Sequence, residues 1–357
     1  MAKQVGDIWF RDEPHWHKEM IVHGRIVHRI LADYHNPIIR SGGQNAISND
    51  VTVENILFHI QIEHFVSQVS KSEQMAVQFD KDRSGIARPK INPLGQKLYR
   101  LLSSPRITPP KMQPSEGFIL FEAAIHDFEL RQISFSGNPM HIIDQSGLRE
   151  GDCLNAIITC IRDGSRRKNY VQAKEERKKD AQQIASGQRK LVKMLRKVHP
   201  VLFGTFVELM YRPDRAHEVS LSENCTHLQL MKTMLDEDPS LPRTVGQYWT
   251  RSYSTESGFR IRLCLLFDGS TTPINSIDYR RIFEHWRTSS NHTGVEGGFT
   301  FNFCGVDALL EGIKLSARKN LYLRLPPSSE HPHFGVSDLP RLKLPRYSDD
   351  GLTSRFQ

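Results

Sequence analysis

Residues 258–269, GFRIRLCLLFDG, constrain the fold more than any other stretch of the chain. The period-two alternation of a strand sends Phe259, Ile261, Leu263, Leu265 and Phe267 to one face, and Arg260, Arg262, Cys264 and Leu266 to the other. Five large apolar side chains on one face place such a strand inside a sheet, with that face in a core. The opposite face starts with two permanent cations whose Cα atoms sit about 6–7 Å apart. A buried, unpaired guanidinium is costly, so that end of the face must meet carboxylates, open solvent or an anionic ligand. Glu208 and Glu256 are local acids able to fill the first role; a phosphate would fill the last.

The flanking segments extend this strand into a domain. VGQYWTRSY (245–253) precedes it across a short Ser-Thr-Glu-Ser-Gly turn, which predicts an antiparallel hairpin. FGTFVELMYR (203–212) and FTFNF (299–303) read as further strands, and HLQLMKTMLDED (227–238) as a helix. Tyr279, Ile282, Phe283 and Trp286 share one helical face, as do Val306, Leu310, Ile313 and Ala317. The order strand, helix, hairpin, helix, strand, helix implies an α+β domain with helices covering a mostly antiparallel sheet.

Upstream, residues 1–48 are broken by Pro14, Pro37 and Gly42-Gly43. From Asn49, Val53, Ile56, Leu57, Ile60, Phe65, Val66 and Val69 recur mostly three or four residues apart, predicting one long amphipathic helix. Residues 80–117 are rich in Pro, Gly, Ser and basic residues and read as loops around a short helix near Gln96–Leu102. The apolar stretches of 117–161 fit helices or strands alike. The charge is densest in 162–189, which reads as a solvated, partly helical connector or as a nucleic-acid arm. Beyond it, Leu191, Leu195 and Val198 form an apolar stripe backed by Lys190, Lys193, Arg196 and Lys197, a basic amphipathic helix. The expected organisation is a mainly α-helical domain over 1–165, a connector over 166–189, the sheet domain over 190–345 and a tail over 346–357.

A chain of 357 residues suits two domains. Its net charge of +8 favours an acidic partner, most simply nucleic acid. No apolar run approaches the roughly 20 residues that span a bilayer, and the N-terminus shows no apolar export segment. Five cysteines without a C-x-x-C pair indicate neither a disulfide framework nor a cysteine zinc site. These features together lead us to expect a cytoplasmic protein.

One ordered set of motifs goes further. Tyr248-Trp249, Tyr253, Gly258-Phe259-Arg260-Ile261-Arg262-Leu263, Leu266-Phe267-Asp268-Gly269-Ser270, Trp286 and Gly297-Gly298-Phe299-Thr300-Phe301-Asn302 follow one another in the chain. This succession, over roughly 186–340, resembles the filamentous-phage gene-II-like replication initiators and the related YagK/YfjJ C-terminal domains of bacterial prophages. The resemblance implies an HUH-endonuclease fold, in which two histidines on the central strand hold a divalent metal. A tyrosine on a nearby helix then attacks a DNA phosphate and becomes linked to its 5′ side. Imidazole is a good metal ligand, and the metal polarises the phosphate for attack.

Here Arg260 and Arg262 stand in the histidine positions, and a guanidinium has no lone pair to offer a metal. In the family's tyrosine helix the corresponding segment is Ile313–Lys319, with Lys314 at the nucleophile; Tyr322 is the nearest tyrosine. The resemblance therefore implies a non-catalytic descendant without metal or other cofactor. Its DNA phosphates would meet Arg260, Arg262, Lys314, Arg318 and Lys319, and Tyr248, Trp249 or Phe259 would stack on bases of single-stranded or hairpin DNA. The alternatives are an active nickase using Tyr322 with Mg²⁺ or Mn²⁺, and an accessory protein of a mobile element acting through protein contacts alone. His15-Trp16-His17, after Pro14, reads as a packed or surface cluster, and His331-Pro332-His333 as a loop. Gly294-Val-Glu-Gly-Gly lacks the lysine of a phosphate loop.

Overall fold

The computed structural model describes residues 51–81, 85, 87–104, 108, 111–127, 135–143, 147–254, 258–328, 330 and 332–337. His15, His17, Glu256 and His331 lie outside them. The chain divides into two compact units, one of residues up to 107 together with Ser115–Arg167, the other of Thr108–Pro114 and Lys168–Gln357. Both helices and antiparallel strands are present in quantity, an α+β fold.

The first unit contains α1 (Val51–Lys71), β1 (Val77–Lys81), β2 (Ala87–Ile91), α2 (Pro93–Leu102), α3 (Glu116–His126) and α4 (Glu150–Arg166). The helix expected from Asn49 is α1, and it buries Phe58, Ile62, Phe65, Val66 and Val69. These pack with Phe118, Phe121 and Ile125 of α3 and with Leu154, Ile157, Ile158 and Ile161 of α4, all repeating at helical spacing. Phe65 meets Phe121 edge to face at 6.1 Å. The ambiguous stretch 117–161 thus supplies two helices among the described residues.

The loop expected over 80–117 is in part a hairpin, β1 pairing with β2 from Val77↔Ile91 to Lys81↔Ala87. Long-range polar bonds hold it: the Asn155 side-chain amide accepts from Val77 N and donates to Val77 O, both at 2.9 Å. A two-stranded ribbon also tolerates Pro89, which has no N–H to give.

Arg162 of α4 is 6% exposed, and its guanidinium donates to the carbonyls of Ser72 (2.8 Å) and Gln74 (2.7 Å), just beyond the last turn of α1. One cation there satisfies the chain as it leaves a helix C-terminus, where the macrodipole also favours positive charge.

In the second unit, α5 (Lys168–Val198) is followed by β4 (Leu202–Tyr211), α6 (Leu221–Glu237), β5 (Gly246–Ser254), β6 (Gly258–Asp268), α7 (Tyr279–Ser289), β7 (Gly294–Cys304) and α8 (Val306–Lys319). The short strands β8 (Leu323–Arg324) and β9 (Phe334–Val336) come last, and β3 (Gln113–Pro114) pairs with β8. A five-stranded sheet has the order β7-β4-β6-β5-β9, every pairing antiparallel. The middle strand is β6, which carries Arg260 and Arg262.

Helices cover both faces of this sheet. Leu191, Val192 and Leu195 of α5 and Val306, Leu309, Ile313 and Ala317 of α8 share a core with Leu202, Tyr248, Cys264 and Leu266. Gly204 lets α8 come this close, since a Cβ there would lie 2.5 Å from Leu309 Cδ2 and 3.0 Å from Cys264 Sγ. On the other face, Tyr211 packs against Trp286 of α7 at 5.2 Å and is bonded to His227 of α6, while Trp286 Nε1 donates to Met210 O at 2.8 Å.

Residues 168–189, set apart in the sequence by their charge, are the first part of the 31-residue helix α5 and belong to the second unit. Charge hides their role because the inward face is narrow: Ala181, Ile184, Ala185 and Gln188 are buried, and Arg177, 2% exposed, donates to Pro114 O at 2.5 Å and Asn320 O at 3.3 Å.

Arg162→Ala removes two charge-assisted bonds and is expected to lower the urea unfolding free energy by about 2–4 kcal/mol. Arg162→Lys, which cannot reach two carbonyls with one fork, should recover only part of that stability in the same titration.

Candidate functional site

The α5/α8 face of the sheet changes from apolar to charged along β6. Leu266 and Cys264 lie under the two helices, and then come Arg262 and Arg260. Register sets what surrounds them: Arg262 lies opposite Glu208 on β4 and Thr250 on β5, and Arg260 opposite Ser252. Arg262 Nε is 3.3 Å from Glu208 Oε1; the glutamate side chain is 4% exposed and the arginine side chain 28%. Glu208 also falls where the β4–β7 register shifts between Val207 and Leu209, a bulge that re-aims side chains locally. Of the two acids named from the sequence, Glu208 is therefore the partner seen among the described residues. Arg260 is 9% exposed.

The pair is anchored rather than merely adjacent. A carboxylate so deeply buried needs a cation, and the guanidinium presents its Nε–H edge to Glu208 while part of its surface reaches solvent. Such an arrangement holds a partly exposed guanidinium at the end of the central strand, a group able to hydrogen-bond a phosphate oxygen.

The other residues expected at the site are placed differently. Lys314 projects from α8 with its side chain 44% exposed and its amine 3.3 Å from Glu311, so part of its charge is already balanced on its own helix. The side chains of Arg318 and Lys319 lie outside the described ones. Tyr322 follows α8 in the turn leading to β8 and is partly buried. The structure does not show these residues converging with the arginine pair.

The three expected stacking residues have no ring face to offer. Tyr248 is 3% exposed, lies in the helix-covered core and meets Phe206 edge to face at 5.7 Å. Burial pushes its hydroxyl well above the usual tyrosine range, and likewise the thiol of Cys264 opposite it. Trp249 is closed in between the Arg251 guanidinium, 4.9 Å from its ring centroid, and β9, where a Cβ on Gly335 would fall 2.6 Å from the indole. Phe259 is 2% exposed and stacks edge-on with Tyr253 at 5.1 Å. Lys111 lies over both of those rings, 5.0 and 5.2 Å from their centroids. Both sheet faces are covered here, so aromatic side chains that alternation alone leaves exposed are core.

A second polar cluster ends the same strand. His199, just past α5, donates from Nδ1 to Asp268 Oδ2 at 2.8 Å, and Asp268 Oδ1 accepts from both Oγ (2.5 Å) and N (2.9 Å) of Ser270. The bonds from Ser270 and then from His199 hold the Asp268 carboxyl down to about 2. The Asp-Gly-Ser turn was legible as a motif, but its histidine, 69 positions earlier in the chain, carried no local signal.

No family model matches the chain, and neither does any curated protein or solved structure. The likeness to replication initiators thus rests on the order of motifs within 186–340. Among the described residues no group of three or more His, Cys, Asp or Glu is placed to hold a metal ion, and no helix is long and apolar enough to cross a membrane.

Because Asp268 has a depressed folded-state pKa, its contribution to stability is complete above its unfolded value of about 3.9 and is lost as pH falls through about 2. In urea titrations Asp268→Asn should therefore be less stable than the parent chain at pH 5, with the difference shrinking steadily between pH 4 and pH 2.

Proposed function

We propose that this chain binds DNA through phosphate contacts and does not cut it. The observation that carries this reading is the central strand β6 bearing Arg260 and Arg262, the second held by the buried Glu208, in the two positions where the resembled initiators have metal-ligating histidines. The exchange keeps affinity for a phosphate and removes the means to activate it. A guanidinium binds phosphate oxygens by charge-assisted hydrogen bonds, yet it stays protonated and cannot coordinate a metal. Lys314, which stands in the nucleophile's place in the family pattern, fits the same exchange of chemistry for charge. Single-stranded or hairpin DNA is the favoured partner, as the resemblance implies, and the net charge of +8 is of the sign such a partner requires. In this reading the protein is a prophage or mobile-element protein retaining the initiator's grip without its cut.

The test is an electrophoretic titration of a DNA hairpin and of its single strand at low salt, with and without Mg²⁺ or Mn²⁺. The expected result is binding that weakens steeply with added salt, with no cleaved product. Arg260→Ala/Arg262→Ala/Glu208→Gln, in which the buried carboxylate is neutralised together with the arginines so that the fold survives, should bind about tenfold or more weakly. Absence of binding, or an unchanged affinity and salt slope in the triple variant, overturns the proposal. So does metal-dependent nicking that disappears in Tyr322→Phe.

A further inference from the structure

Charge is segregated along α5. In its first part the cations are interleaved with Glu175, Glu176 and Asp180, and Lys178 pairs with Glu175 while Asp180 pairs with Arg324. From Ala181 to Val198 there is no acid, and Arg189, Lys190, Lys193, Arg196 and Lys197 are all exposed and without an ion pair among the described residues. At 3.6 residues per turn these five fall within a sector of about 120° on one flank of the helix. The other flank carries Gly187, Met194 and Val198. The helix dipole accounts for cations in the last turn, Arg196 and Lys197, but not for the three that precede them.

The stripe leads to a hollow. Arg196 forms part of the wall of a cavity of about 490 Å³ at the end of the sheet, lined otherwise mainly by apolar groups, Val201, Phe203, Pro273, Ile274 and Val306 among them, with Thr272 and Asp307 as its other polar side chains. That size is in the range of small-molecule sites. At its mouth Val201 is 57% exposed, an apolar side chain held open to solvent next to the basic run of α5.

We infer that this hollow receives a base of single-stranded DNA while the α5 stripe carries the adjoining phosphates. The inference rests on the reading of the chain as a DNA binder, but uses residues distinct from the arginine pair. Charge complementarity selects the occupant's backbone: five cations over about 12 Å of helix axis suit a polyanion. The apolar cavity at the end of that run selects a strand whose bases are unpaired, since a duplex keeps its bases stacked inside. It also supplies an apolar surface for a base, which the buried rings of Tyr248, Trp249 and Phe259 cannot.

Fluorescence anisotropy on the full chain, with a labelled oligothymidine strand and a sugar-phosphate strand of equal length lacking bases, tests this. Lys190→Glu/Lys193→Glu, at exposed positions, should weaken both strands by about tenfold or more and flatten the salt dependence by about 0.7 for each phosphate no longer neutralised. Val201→Trp, filling the hollow, should weaken the oligothymidine about fivefold or more and leave the abasic strand and the salt slope unchanged. Circular dichroism checks that both variants are folded. Equal affinity for the two strands in the parent chain, or an unaltered oligothymidine affinity in Val201→Trp, overturns the inference. So does a stripe variant that loses only binding to vesicles of anionic phospholipid. If the arginine triple variant still distinguishes oligothymidine from the abasic strand, the hollow stands even where the arginine site fails; if the parent binds no DNA, both fail.

Discussion

Burial of β6 on both faces is the constraint from which the second unit follows. A strand with Ile261, Leu263, Leu265 and Phe267 on one side and Cys264 and Leu266 on the other must be covered twice. Hence β4 and β5 flank it, α6 and α7 close one face, and α5 and α8 close the other. Only the end carrying Arg260 and Arg262 departs from this pattern, and there the buried Glu208 answers the charge. Two polar clusters of the unit lie where the apolar cover of this strand ends: the arginine end, and the opposite end at Asp268 beside the hollow.

The same double cover explains what could and could not be read beforehand. The hairpin of β5 and β6, the stripe of α7 and the helix after FTFNF were visible, because each carries an unambiguous period and a turn or cap at its end. The hairpin of β1 and β2 was not, because Pro89, Gly85 and the basic residues around them carry loop chemistry, and what holds the strands is Asn155, far along the chain. Over 168–189 the inward face of helix α5 has a single large apolar residue, Ile184, among Arg177, Ala181, Ala185 and Gln188, so the segment reads as a connector set apart from the helix that follows.

For the site, sequence proposed the arginine pair and named Glu208 among the local acids able to partner it; the register of β4 on β6 is what puts acid and cation side by side. Strand parity put Phe259 on the core face, but it could not say that Tyr248 and Trp249 are covered as well, because which faces of β5 are buried depends on elements elsewhere in the chain, such as β9 and α5. Aromatic residues in an ordered motif therefore mark the fold's framework here. The basic side chains of α5 carry the more accessible charge.

Strand β3 has a consequence for how the chain can be taken apart. Gln113 and Pro114 pair with Arg324 and Leu323, and Pro114 also receives the guanidinium of the buried Arg177, yet the residues on both sides of this segment in sequence belong to the first unit. The boundary between units is consequently crossed more than once, and no single cut yields two intact modules. A fragment starting at Lys168 would lack a strand and leave Arg177 with the Asn320 carbonyl as its one remaining acceptor of the two; evolution, like an engineer, would have to exchange the two units as one cassette.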